Sequence, residues 1–183
     1  MPMNSRRDSS TSAAIQRVTV RLVELFVDDV TWGCATRARR ADWLQAIADL
    51  QEDSQLEVGF AHPPAPQSLR AYITVGANAI RVAFHDDRGD ERGRIELSRG
   101  VIAPIFREYM SLLQAISTLG ETAYSPQVEA LDIARRLMHN DAADLVIRHA
   151  DGVIPDHRTA RRLFTLFVLL THDTTKLHAP TGL

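Results

Sequence analysis

The chain has 183 residues, 45% of them hydrophobic and 24% charged, enough apolar material to bury roughly 70% of the unfolded surface in a single domain. A formal net charge of −2, with Lys176 the sole lysine among 21 basic residues, argues against attraction of the whole protein to nucleic acid or to an anionic membrane. The lone Cys34 excludes an internal disulfide and suits a reducing, cytoplasmic setting, and no uninterrupted apolar run reaches the roughly 18 residues that a bilayer requires.

Residues 1–14 are polar and rich in Ser and Thr, without apolar periodicity, so a disordered tail is expected there. The tail has basic residues but no apolar stretch of the secretory-signal kind. From Gln16 to Leu22 the residues alternate, Val18, Val20 and Leu22 against Arg17, Thr19 and Arg21, which predicts a half-buried strand. Leu25 to Trp32 fits neither period. Trp43, Leu44, Ile47 and Leu50 then fall at helical spacing, preceded by the RARR run of Arg37 to Arg40. Positive charge at a helix N-terminus opposes the macrodipole, so the helix is expected to begin near Ala41 and the run to form a solvated surface rather than a nucleic-acid patch. The segment AHPPAPQS reads as a loop.

A meander follows. Ala71, Ile73 and Val75 alternate, Gly76 to Asn78 turn the chain, Ile80, Val82 and Phe84 alternate back, and Ile95 and Leu97 supply another strand after the polar turn DDRGDERG. Pro104 is expected to open a helix whose stripe is Ile105, Phe106, Tyr109, Leu112, Leu113 and Ile116, with Gly120 as its stop.

The stretch Ser125 to His172 is the densest in pattern. Ser125 and Pro126 form a helix start, and Val128, Leu131, Ile133, Leu137 and Met138 form an apolar stripe. Asn140 is expected to end that helix, with Asp141 and Asp144 capping a second, shorter one that Gly152 closes. Pro155 and Asp156 open a last helix, apolar nearly all round through Leu163, Phe164, Leu166, Phe167, Val168, Leu169 and Leu170, and therefore buried.

The segments VEALDIARRLMHNDA and DHRTARRLFTL within this stretch resemble IEAIDMGRRGLHNEG and DFDTARRLFTL of the small bacterial uncharacterised protein family (UPF) 0262, sharing Glu129, Asp132, Arg135, Arg136, His139, Asn140, Asp156 and Thr159 to Leu166. IFREYM at 105–110 is similar to the family's IIKDYF, while the N-terminal half matches only in its order of elements. Ala134, Leu137 and Ala142 stand where that segment has Gly, and Asp141 where it has Glu, so the resemblance is to a divergent member. It implies a fold and no established activity.

The expected fold is α+β: a small antiparallel sheet of about four strands packed against a C-terminal group of three to four helices. One domain is expected over 15–172, with a flexible tail at 173–183. A Gly-rich phosphate loop, a GxSxG elbow, an HExxH pair and a CxxC pair are all missing from the sequence. This excludes the enzyme classes that those motifs mark, not enzymes in general. The candidate ligand-binding residues are Arg135, Arg136, His139, Asn140, Asp141, Arg161 and Arg162. His139, four residues after Arg135 on one helical face, has two readings: a cap at a helix C-terminus, or a base or anion-holding group. If the helices pack antiparallel, the arginines converge on a carboxylate or phosphate, or else pair with Glu129, Asp132, Asp141 or Asp144. The seven histidines lack a ligand spacing, so no metal is expected, and no cofactor is indicated. These features point to a soluble cytoplasmic binding or protein-interaction module, its partner a small anion or a protein and its oligomeric state open. The alternative is an enzyme or accessory factor acting on a small anionic metabolite at the His/Arg corner.

Overall fold

The computed structural model describes residues 15–61, 64–118 and 126–173. The tail at 1–14, most of that at 173–183, the helix stop at Gly120 and the helix start at Ser125 lie outside the described residues. The elements run β1 (Gln16–Val27), α1 (Asp29–Gly33), α2 (Arg37–Glu52), β2 (Leu56–Phe60), β3 (Ser68–Val75), β4 (Ala79–Asp86), β5 (Glu91–Ser98), α3 (Arg99–Thr118), α4 (Pro126–Arg148), β6 (Ala150–Asp151), β7 (Val153–Pro155) and α5 (His157–Thr171).

Alternation builds the centre of the sheet. Leu69, Ala71 and Ile73 of β3, Ile80, Val82 and Phe84 of β4, and Ile95 and Leu97 of β5 are all buried on one face, and β3, β4 and β5 pair antiparallel. The first half of β1 pairs antiparallel with β2, Val20 opposite Leu56, and its second half pairs parallel with β3, Phe26 opposite Tyr72. A bulge between Leu22 and Glu24 shifts the phase, so that Val20, Leu22 and then Leu25 point inward. At this change of partner the Ser54 hydroxyl accepts the Leu22 N–H at 2.9 Å.

The strand order is β6-β5-β4-β3-β1-β2-β7. The edge strands β6 and β7 are consecutive pieces of chain on either side of Gly152, one paired to β5 and the other to β2. One short segment thus draws both edges together, and the sheet is nearly a barrel. The closure depends on close backbone approach: a Cβ on Gly93 would lie 2.5 Å from Val153 N and nearer still to the Asp151 carbonyl, and Gly152, at φ +74°, faces the Arg92 carbonyl.

The α+β class stands, but the small four-stranded antiparallel sheet packed on C-terminal helices does not: the sheet has seven strands and one parallel pair. The strands β2, β6 and β7 hold five, two and three residues, too few for alternation to declare itself. The parallel β1–β3 pair needs a crossover, which the chain from α1 through β2 provides.

The expected break at Asn140 is also absent. The helix α4 continues through Asn140 and Asp141 to Arg148 because Ala142, Ala143, Leu145 and Val146 carry its buried face onward, and that packing outweighs the modest propensity cost of Asn and Asp. Gly152 accordingly turns β6 into β7 instead of ending a helix. Two helix starts differ as well. The helix α2 begins at Arg37, capped by the Thr36 hydroxyl, which accepts the Arg39 N–H at 3.3 Å, and α3 begins at Arg99, leaving Pro104 inside it.

Leu163, Phe164, Leu166 and Phe167 of α5 are wholly buried. Two arginines lock α5 against α2 by capping each other's helix. Arg39 of α2 donates to the Leu169 and Leu170 carbonyls at 3.2 Å and to that of His172 at 3.4 Å, over the Trp43 ring. Arg162 of α5 donates to the Asp49 carbonyl at 2.8 Å and to that of Asp53. The RARR run is therefore not simply a solvated surface, since Arg40 also donates to the Trp32 carbonyl at 3.2 Å. No helix among the described residues is long and apolar enough to cross a membrane.

Candidate functional site

Helices α3, α4 and α5 meet at His139. Its Nε2 lies 3.1 Å from the Tyr109 hydroxyl, and its ring stands edge-on to Tyr109 and Phe164, with centroids 5.1 and 5.9 Å away. Burial first, and then the charges of Arg161 and Arg135, push its pKa down from 6.5 to about 4, so the imidazole is neutral at pH 7. Burial raises the pKa of the Tyr109 phenol, which keeps its proton there.

The first turns of α5 supply the charge. Residues three and four apart share a helical face, and Arg158, Arg161, Arg162 and Thr165 line a pocket of about 250 Å³ together with His139. The Asp53 carboxylate pairs with Arg158 and lies 3.4 Å from Arg162. The Thr165 hydroxyl donates to the Arg161 carbonyl at 3.1 Å. The half-buried Arg161 side chain makes no hydrogen bond or ion pair with any described residue. Among the described residues the corner therefore gathers three guanidiniums, of which two share one carboxylate, and it holds net positive charge around a neutral imidazole. Such an arrangement can grip an anion through a planar, multiply donating fork.

The structure brings His139, Arg161 and Arg162 to one pocket, although Arg162 is largely committed to the end of α2. Arg135 acts on His139 through its charge, but its guanidinium pairs with Asp132 at 2.8 Å. Arg136 pairs with the same Asp132. Asn140 and Asp141 are exposed and do not line the pocket. The cap reading of His139 falls, because α4 runs nine residues past it to Arg148. Sequence reasoning missed Tyr109, Arg158 and Thr165 as members. Tyr109 was visible only as part of the α3 stripe, whereas Arg158 and Thr165 are signalled by their spacing from Arg161 and Arg162.

An aromatic series extends inward from this corner. The ring centroids of Phe164 and Phe106 lie 5.7 Å apart, and Phe106 stands edge-on to the His172 ring with centroids 5.1 Å apart. Cys34 is exposed. Among the described residues, no three or more His, Cys, Asp or Glu side chains gather as a metal ion would need.

A model of the uncharacterised protein family (UPF0262) matches residues 19–173. A UPF0262 protein of Acidiphilium cryptum is 33% identical over 151 residues, covering 82% of this chain and 91% of the relative. One of Sphingopyxis alaskensis is 30% identical over 170 residues, covering 88% and 97%. Another, from Rhodospirillum rubrum, is 29% identical over 154 residues, covering 83% and 92%. No solved structure matches the chain. The family match takes in the nearly closed sheet as well as the helices that carry His139 and Arg161, and the chain belongs to the uncharacterised protein family UPF0262.

Proposed function

We propose that the protein is a binding module that takes a small anion, of phosphate or carboxylate size, where the start of α5 meets the middle of α4. The observation that carries this reading is Arg161. Its neighbours Arg158 and Arg162 share Asp53, whereas Arg161 is half-buried beside His139 with no acid partner among the described residues. A partly desolvated guanidinium without a counter-charge is costly, and a bound anion relieves that cost. The neutral His139 adds a hydrogen-bonding nitrogen without adding charge. Binding fits the corner better than turnover. The one hydroxyl among the described lining residues, that of Thr165, is committed to the Arg161 carbonyl, and the imidazole already shares a hydrogen bond with Tyr109. The exposed free thiol of Cys34 fits a reducing, cytoplasmic setting.

Thermal melting with inorganic phosphate, against chloride at equal ionic strength, tests the reading. Phosphate is expected to raise the melting temperature saturably, as any ligand of the folded state does. Arg161→Ala should remove that rise while leaving the melting temperature without phosphate nearly unchanged, and Arg161→Lys should keep part of it. A parent protein that shows no rise, or an Arg161→Ala variant that keeps all of it, overturns the proposal.

A further inference from the structure

A second cavity, of about 580 Å³, opens between α3, the start of β4 and the C-terminal end of α5. Ile80, Ile102, Phe106 and Met110 make its floor, and Arg99, Arg107 and His172 stand among the polar residues around it. No carboxylate is among its described lining residues. Among the described residues the Arg99 guanidinium makes one hydrogen bond, to the Gly76 carbonyl at 3.3 Å, and most of its donors have no partner there. Arg107 is exposed, and its side chain has no partner among the described residues. Burial, and then the charges of Arg99 and Arg39, lower the pKa of His172.

We propose that this cavity binds an amphipathic organic anion, its apolar body lying on Phe106, Ile102 and Met110 and its carboxylate held by Arg99 and Arg107. The volume lies within the roughly 300–1,000 Å³ of small-molecule sites, which are mostly apolar with a few placed polar groups. Charge complementarity selects the ligand class. A purely apolar molecule leaves both guanidiniums unanswered, and a bare inorganic anion leaves the apolar floor in water. A monocarboxylate on a chain or ring answers both, because the guanidinium fork matches a carboxylate in two parallel hydrogen bonds.

Decanoate below its micelle concentration is the probe, with decanol and inorganic phosphate as comparisons, read by calorimetric titration of the full chain. Saturable decanoate binding is expected, with decanol at least tenfold weaker. Arg107→Glu should weaken decanoate at least tenfold and leave decanol unchanged, and since Arg107 is exposed the variant should fold as the parent does. Arg161→Ala, at the other pocket, should bind decanoate as the parent does. The proposal is overturned if decanoate does not bind, if decanol binds equally well, if Arg107→Glu leaves decanoate affinity intact, or if Arg161→Ala alone removes it.

Discussion

At the residue scale, His139 ties the pocket to a measurable pH response. Four arginines bear on it: Arg161 and Arg135 through their charges, with Arg158 and Arg162 in the same lining. Its pKa of about 4 in the folded protein lies below the 6.5 of a free imidazole, so between those values the unfolded chain binds the proton more readily. Stability from this group is whole above about pH 6.5 and is lost as the pH falls towards 4. Melting His139→Asn and the parent at pH 7 and pH 4.5 should show a smaller drop in the variant. The drop should not vanish, because His172 is shifted the same way by burial, Arg99 and Arg39 and remains in the variant. Equal drops in the two proteins would remove His139 as a source of the pH response. The meeting of His139 with Arg161 was legible from the crowding of polar residues in one stretch of sequence. The roles of Arg39 and Arg162 were not, because they cap carbonyls more than 100 residues away, and no local pattern encodes that.

At the element scale, the β6–Gly152–β7 segment joins the two edges of the sheet, and its fit against β5 is steric. Gly93→Ala places a methyl against the backbone at Asp151 and Val153, and should cost about 2 kcal/mol or more, because rigid backbone on both sides must move. Gly33→Ala, with nothing within 4 Å of the new carbon, should change stability by less than ~0.5 kcal/mol. Urea unfolding of the two variants checks the contrast, and equal midpoints would show that the closure is loose. The meander β3–β4–β5 and the helix α5 were legible because β3, β4 and α5 each keep one period over eight or more residues, and Ile95 and Leu97 continue the alternation in β5. The second half of β1 was not: the bulge after Leu22 breaks the alternation and moves the inward position to Leu25, so the stretch from Leu25 fits no single period.

At the scale of the whole molecule, α4 divides into two halves with different partners. None of residues 126–138 is buried, and Val128, Ile133 and Leu137 are exposed on a helix expected from its stripe to face inward. Beyond His139, Ala142, Ala143, Leu145 and Val146 are buried in the common core beside α5. A helix held by few tertiary contacts opens locally at low cost, whereas one packed into the core opens only with the global transition. Native-state hydrogen exchange should therefore find amides at 130–138 exchanging at least tenfold faster than those at 142–148, with the pocket residue His139 at the boundary. Anion binding through Arg161, which belongs to the stable α5, should slow exchange near His139 and leave the first turns of α4 unaffected. Uniform protection along all of α4 would reject this division and show that the face of Ile133 and Leu137 is covered in solution.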